Sequence, residues 1–208
     1  MENLELRTWQ VGPWSMNTYA LVCPQTKQSV LIDPGADPGA LLEMLAGSTP
    51  VAIWLTHTHG DHIGALDEMR AKLQVPLLAN PGPHAAGVEL DADQWLNDGD
   101  RVPVGNFTAR VYYAPGHIGD QICFALENDH RVIVGDTIFE GGPGKTWSPE
   151  GFQTTLTTLR KVVMPWPDET VCYPGHGPAF RLGDQRAAIE RFLTKEHGRF
   201  FGDATWDM

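Results

Sequence analysis

Cysteine is scarce in this chain: 208 residues hold three, Cys23, Cys123 and Cys172. They are odd in number and far apart, with no Cys-x-x-Cys pair, which excludes a disulfide framework and a thiolate zinc knot. All three read as small apolar side chains inside strand-like runs. Long apolar runs are also missing, since nothing approaches the roughly eighteen residues needed to cross a bilayer. The opening MENLELRTWQVG has no basic segment followed by an apolar one. The expectation is a soluble, unexported, cytoplasmic protein with no membrane partner. Positive charge is short too, with 15 Lys and Arg against 26 Asp and Glu and a net charge of −11, which disfavours nucleic acid as a partner. No Gly-x-Ser-x-Gly occurs, so a serine nucleophile on a strained elbow has no candidate. No repeat, charge block or low-complexity linker divides residues 1–208, and one domain is expected, long enough to bury its own core.

What is present is a series of short apolar runs punctuated by Gly, Pro and Asp: TYALVC (18–23), SVLIDPG (29–35), VAIWLT (51–56), FTARVYY (107–113), QICFAL (121–126), RVIVGD (131–136) and TVCYPG (170–175). Their lengths and their β-branched and aromatic content predict strands. Between them lie helical patterns. Leu66, Met69 and Leu73 recur at steps of three and four. Phe152, Leu156, Leu159 and Val163 follow Ser148 as N-cap and Pro149 at the first helical position. Ile189, Phe192 and Leu193 follow Asp184, and Lys195 and His197 before Gly198 form a C-terminal signature. Interleaved strands and helices predict an α/β layered domain.

Four of the runs end in chemically loaded turns, at His57, His117, Asp136 and His176. Ligand-type residues on loops at strand ends are how such folds build sites. Of the eight histidines, His57, His59, His62, His117 and His176 share this placement, whereas His84, His130 and His197 do not. The segment WLTHTHGDHIG (54–64) masses three imidazoles and Asp61. Residues i, i+2 and i+4 share a side only in an extended chain, so His57, His59 and Asp61 converge if the strand continues past Thr56. A change of direction at Asp61 and His62 then aims those two at a neighbouring point. Counted as ligands, His57, His59 and His117 make a nitrogen set for one ion and Asp61, His62 and His176 a mixed set for another, with Asp136 able to bridge. Three protein ligands with a bridge and an open position suit a catalytic zinc-type site; iron and manganese accept the same donors. A lone histidine at a strand end is more often structural, and Asp136-Thr137 alone could be an Asx turn. A pH switch would not explain the accompanying aspartates.

THTHGDH, PGH at 115–117, GDTIF at 135–139 and PGHG at 174–177, in this order, resemble the metallo-β-lactamase superfamily and its glyoxalase II-like hydrolase branch, over roughly residues 15–180. The resemblance implies an αββα sandwich with metals at one edge of two facing mixed sheets. It places one metal site on His57, His59 and His117, a second on Asp61, His62 and His176, and a bridging carboxylate on Asp136. Asp33 in IDPG is then a supporting group or a plain turn residue. Two departures stand out. PGHIGDQ puts Asp120 near the site, where it hydrogen-bonds a ligating imidazole or caps a turn. GGPGKTW at 141–147 has Lys145 where relatives carry arginine and Trp147 where they carry aspartate. Lys145 is a candidate contact for a substrate carboxylate, as a point charge without arginine's fork, or a solvated loop lysine.

The chemistry this implies is a dinuclear hydrolase holding two divalent ions, zinc first and iron or manganese as alternatives. A shared water loses its proton near neutral pH while one ion polarises the scissile carbonyl, and Asp61 or Asp136 steers that water as the catalytic carboxylate. The expected substrate is a small thioester or other ester. Only 32 residues follow His176, against the helical extension with which glyoxalase II grips glutathione. A true β-lactamase is disfavoured by Asp136, and a nuclease by the acidity of the chain. Lactone hydrolysis is one alternative. Another is the persulfide dioxygenase branch, with a single iron on His57, His117 and Asp136; a third is a metal-stabilised binding module without activity. The aromatic end GRFFGDATWDM folds back as packing or forms an oligomer contact.

Overall fold

In the computed structural model, which describes residues 3–208, the seven predicted runs all lie in strands, divided between two six-stranded sheets. The first sheet is formed in sequence order by Glu5–Val11 (β1), Met16–Val22 (β2), Gln28–Ile32 (β3), Thr49–Trp54 (β4), Leu77–Ala79 (β5) and Gln94–Trp95 (β6). Its first three strands pair antiparallel and the others parallel. The second sheet takes Arg101–Val104 (β7), Phe107–Tyr113 (β8), Ile122–Leu126 (β9) and Arg131–Gly135 (β10). After a small hairpin of Ile138–Phe139 (β11) and Gly142–Pro143 (β12), Val171–Pro174 (β13) and Phe180–Arg181 (β14) complete it, in the order β14-β13-β10-β9-β8-β7. Only the β10–β13 pair of that sheet is parallel.

Two-residue alternation explains why these sheets are covered on both faces. Val30 and Ile32 of β3 enter a core shared with Val111, Phe124 and Ile133 of the opposite sheet. Leu31, between them, packs outward with Leu41, Met44, Leu66 and Met69. Those four come from helices Pro38–Met44 (α1) and Leu66–Leu73 (α3), with the single turn Gly60–Ile63 (α2) between. On the second sheet Cys123, Val132 and Val134 pack outward against Phe152, Leu156, Ile189 and Phe192 of helices Pro149–Thr158 (α4) and Leu182–Thr194 (α5). The layers are therefore helix, sheet, sheet, helix. All three cysteines are free and buried, consistent with their reading as apolar fillers.

The helix termini refine the sequence reading. Ser148 caps α4, its Oγ accepting from the Gly151 N–H at 3.0 Å, and the helix continues into a π turn over Leu159–Val163. The last helix starts at Leu182, before Asp184, and ends at Thr194, with Lys195 already extended. His197 lies beyond that end, where its ring N–H donates to the Phe192 carbonyl at 2.8 Å. The C-terminal segment folds back as packing: Phe200 stacks edge-on against Phe152 and Trp206 against Phe192. No helix among the described residues is long and apolar enough to cross a membrane.

Trp54 and Phe124 join the sheets, stacked at 4.9 Å and 29° and both fully buried. Phe124→Ala removes that stack from a core that cannot collapse around it, and is expected to cost about 3–5 kcal/mol. Urea unfolding of the metal-free protein measures this; a loss below about 1 kcal/mol would contradict the packing described.

Candidate metal centre

The chain leaves β4 still paired, with the Leu55 N–H donating to Leu78 O at 3.0 Å and the Ile122 N–H donating to Thr56 O at 2.8 Å across the sandwich. His57 is thus delivered from a strand end held by both sheets. His59 remains extended (φ −64°, ψ 147°) as N-cap of α2. The helical turn starts at Gly60, earlier than the sequence suggests, so Asp61 is not on the extended side shared by His57 and His59 but lies with His62 on the first turn. The reason is close packing against the IDPG turn: a Cβ on Gly35 would overlap the Asp61 carbonyl, and the Ala65 N–H donates to Pro34 O at 2.9 Å. His117 comes from the β8–β9 loop, Asp136 directly follows β10, and His176 directly follows Gly175 at the end of β13.

These side chains converge. Ligand atoms of His57, His59 and His117 lie within 4.8 Å of one another, as do those of Asp61, His62 and His176. Between the two groups sits the buried Asp136 carboxylate, with Oδ2 3.5 Å from His117 Nε2 and 3.8 Å from His176 Nε2, and Oδ1 3.4 Å from His62 Nε2. Asp33, His57 and His62 form a third close group, but its atoms are tied together from behind. Asp33 accepts from the Thr56 N–H at 2.7 Å, the Thr56 hydroxyl at 2.6 Å and His62 Nδ1 at 2.8 Å. Asp33 is therefore the supporting carboxylate among the readings open to it, and it also sits at φ 55°, a left-handed position that aspartate tolerates.

Hydrogen bonds on the outer nitrogens set the tautomers. His62 Nδ1 donates to Asp33, His117 Nδ1 donates to Lys145 O at 2.7 Å, and His176 Nδ1 donates to Trp14 O at 3.3 Å. In the neutral form that a metal ligand requires, each ring would turn the lone pair of its Nε2 inward; in the structure His176 Nε2 instead donates to Asp61 at 3.0 Å. His57 Nε2, His62 Nε2 and Asp136 Oδ1 are buried without a hydrogen-bond partner. Buried polar atoms are seldom left so, and electron-pair acceptors held by the two groups would satisfy all three. A divalent cation fits this donor set.

Charge is organised accordingly. Burial, and then the neighbouring imidazoles, push His57 well below the usual histidine range and His59 down to about 4. Burial likewise lowers His117. Burial opposes charge on Asp61 and His62, but the His176 hydrogen bond holds Asp61 at about 2, and Asp136 with Asp33 raises His62 to about 10. The hydrogen bond that His176 Nε2 donates to Asp61 raises His176. Protonation is therefore disfavoured on the imidazoles of one side of Asp136 and favoured on those of the other, which face carboxylates.

Other residues singled out from sequence fall as follows. Lys145 borders the centre, but its ammonium pairs with Asp203 at 3.1 Å and sits 5.1 Å over the Trp147 ring. Asp120 is buried against the Thr58 side chain, with Oδ1 unpartnered; among the described residues it bonds no imidazole of the cluster. Several supporting groups gave no signal in the sequence: Thr56, which holds both Asp33 and His57, and Asn17 and Tyr19, which donate to Pro174 O at 3.0 and 2.6 Å and fix the turn carrying His176.

The family model described as the metallo-beta-lactamase superfamily matches residues 11–176. The chain is similar to a probable metallo-hydrolase, YqgX, of Bacillus subtilis (strain 168), 32% identical over 194 residues that cover 84% of this chain and 91% of that protein. It is also similar to a hydroxyacylglutathione hydrolase of Rhodopseudomonas palustris (strain ATCC BAA-98 / CGA009), 34% identical over 160 residues, 76% of this chain and 61% of that longer protein. Among solved structures, TTHA1623 in a di-iron-bound form aligns with a TM-score of 0.73 at 28% identity, covering 86% of this chain and 96% of that one.

Gly175 makes the cluster possible, because a Cβ there would overlap Asp136 Oδ1 and the His62 ring. Gly175→Ala is expected to displace one of them and lower metal affinity by about 10–100-fold, as disturbed ligand orientation does elsewhere. Metal content after dialysis and isothermal titration measure it. Wild-type uptake by the variant would show that the cluster is not where metal binds.

Proposed function

Because this chain belongs to the metallo-β-lactamase superfamily, we propose that it is a dinuclear metal-dependent hydrolase of a small thioester. The ligands in this reading are His57, His59 and His117 on one side, Asp61, His62 and His176 on the other, and Asp136 between them. The observation that carries it is the position of the Asp136 carboxylate, which faces imidazoles of both groups within 3.8 Å. The di-iron form of the structural relative and the hydroxyacylglutathione hydrolase, named for cleaving an acylated glutathione, support the same reading. Zinc is the first expectation for the metal, and iron and manganese suit the same oxygen and nitrogen donors.

Bound there, a pair of divalent cations lowers the pKa of water and polarises a carbonyl. The chain's own groups supply the rest. Asp61, held ionised by His176, faces the cleft that also exposes His59 and His117 and orients the attacking water through a hydrogen bond. Asp33 and the Lys145 carbonyl hold His62 and His117 so that neither ring reorients during turnover. Water adds to the carbonyl carbon, the C–S bond breaks, and the proton released by water ends on the departing thiolate or in solvent. No side-chain nucleophile is required. The partner in this reading is a small molecule met in the cytoplasm, with no nucleic acid; the net charge of −11 supports that.

Metal analysis of protein purified without added metal, paired with a thioester and lactone panel, tests the proposal. The expected result is close to two equivalents per chain with thioester turnover, and a loss of about a hundredfold or more in kcat for Asp136→Ala. One iron per chain with sulfite formed from glutathione persulfide would overturn it in favour of oxidation. Lactone turnover without thioester turnover would overturn the substrate class alone.

A further inference from the structure

Two tryptophans stand open at the mouth of the metal centre, Trp14 at 69% and Trp147 at 64% exposure. Both line one cleft of about 370 Å³ whose floor is His59, Asp61, His117 and Asp136. Trp147 is held in place: Lys145 lies over its ring, His59 packs near it at 6.4 Å, and the preceding Thr146 exchanges backbone hydrogen bonds with Gly202 at 3.1 and 2.9 Å. Trp14 sits on the β1–β2 turn, with Ser15 at φ 51° and Gly12 at φ 66°. The Gly12 N–H donates to Asp37 at 2.9 Å, and His176 holds the Trp14 carbonyl. The backbone under the indole is thus fixed to the centre itself, while the ring is left largely in water.

Beside Trp14 a second cavity of about 190 Å³ opens from the cleft, sharing Trp14, Gly60 and Asp61 with it. Val11, Pro13, Met16 and Ala36, with Gly12 and Gly35, form the rest of its wall, and none of these six carries a polar side chain. On the opposite side of Asp136 lies a wider cavity of about 470 Å³ that includes Lys145 and Asp203. Its one ammonium pairs with the exposed Asp203 at 3.1 Å, so a carboxylate of a substrate would have to compete with that surface pair. The two sides of the centre therefore differ in character, as the two halves of a thioester do.

Resting on the thioester hydrolase reading, we infer that the cavity beside Trp14 is the acyl subsite and that it takes a neutral, unbranched apolar acyl chain, with Trp14 closing over it. The wider cavity receives the thiol half. An apolar cavity of about 150 Å³ admits a benzene ring, so the space beside Trp14 holds a chain of about six to eight carbons. Asp61, a ligand in this reading, is the only charged side chain lining this cavity, so a hydroxyl carried away from it, against Val11, Pro13, Met16 or Ala36, finds no partner and loses affinity there. Trp14 contributes the large apolar contact that such a chain needs.

The test uses the metal-loaded protein and thioesters of N-acetylcysteamine bearing acetyl, butyryl, hexanoyl, octanoyl and decanoyl groups. The expected profile of kcat/KM peaks at hexanoyl or octanoyl, about tenfold or more above acetyl. Trp14→Ala, with its metal content checked, is expected to lower the hexanoyl-to-acetyl ratio about tenfold, mainly through KM. Ala36→Phe fills the cavity and is expected to move the peak to acetyl or butyryl. A readout independent of turnover is tryptophan fluorescence on adding the hexanoyl ketone analogue in which a methylene separates carbonyl from sulfur. Emission should shift in the wild type and stay unshifted in Trp14→Phe. A flat chain-length profile that Trp14→Ala does not alter, with no fluorescence response, overturns the subsite while leaving the hydrolase reading in place. A fluorescence response in a protein that cleaves no thioester overturns the hydrolase reading and keeps the cavity as an apolar-chain site.

Discussion

Buried electron-pair donors without partners are the constraint on which the site depends. His57 Nε2, His62 Nε2 and Asp136 Oδ1 are shut away from water with no hydrogen-bond partner, and each such atom costs about 1–3 kcal/mol if nothing binds it. The chain keeps them there because the polar atoms behind them are committed. The Asp33 carboxylate takes three donors, and carbonyls of Trp14 and Lys145 take the outer nitrogens of His176 and His117. Proton sharing relieves only part of the cluster, as the opposed shifts of His59 and His62 show. A cation in each of the two groups, with Asp136 between them, would relieve all of it.

The sandwich makes that arrangement rigid. Each ligand-bearing loop leaves a strand of one of the two packed sheets, and the sheets are joined at the site edge by the Ile122 N–H donating to Thr56 O, and by the bonds from Asn17 and Tyr19 to the end of β13. Loops from two sheets thus present their side chains from one packed frame, which is what preorganised chemistry requires. The β1–β2 turn is tied into the same frame through the Trp14 carbonyl. The turn that carries the exposed Trp14 is thereby fixed to His176 of the cluster.

What could be read from the sequence followed from how local the physics was. Runs such as β3 and β9 were legible because strands buried on both faces are apolar nearly throughout, whereas β8, with Arg110 exposed, was legible from its aromatic and β-branched content. The edge strands β1 and β7 were not legible: Glu5–Val11 is mostly exposed and polar, and Arg101–Val104 is four residues with a proline. Helix α1 was missed because its N-cap Asp37 is left-handed and makes no side-chain cap. The ligand-type residues announced themselves because three imidazoles and an aspartate seldom gather within six positions except around a cation. Their supports did not, since Thr56, Asn17 and Tyr19 are ordinary residues whose roles depend on contacts up to 160 positions away. Lys145 was visible as a cation near the site, but its pairing with Asp203 arises only when the C-terminal segment folds back.

The most direct measurement is anomalous diffraction from crystals of the zinc-loaded protein, which locates ions without reference to activity. The account predicts two peaks about 3.5–4 Å apart, one against His57, His59 and His117 and one against Asp61, His62 and His176, with an oxygen of Asp136 touching both. A single peak, or two peaks with the Asp136 carboxylate turned away from them, would contradict it.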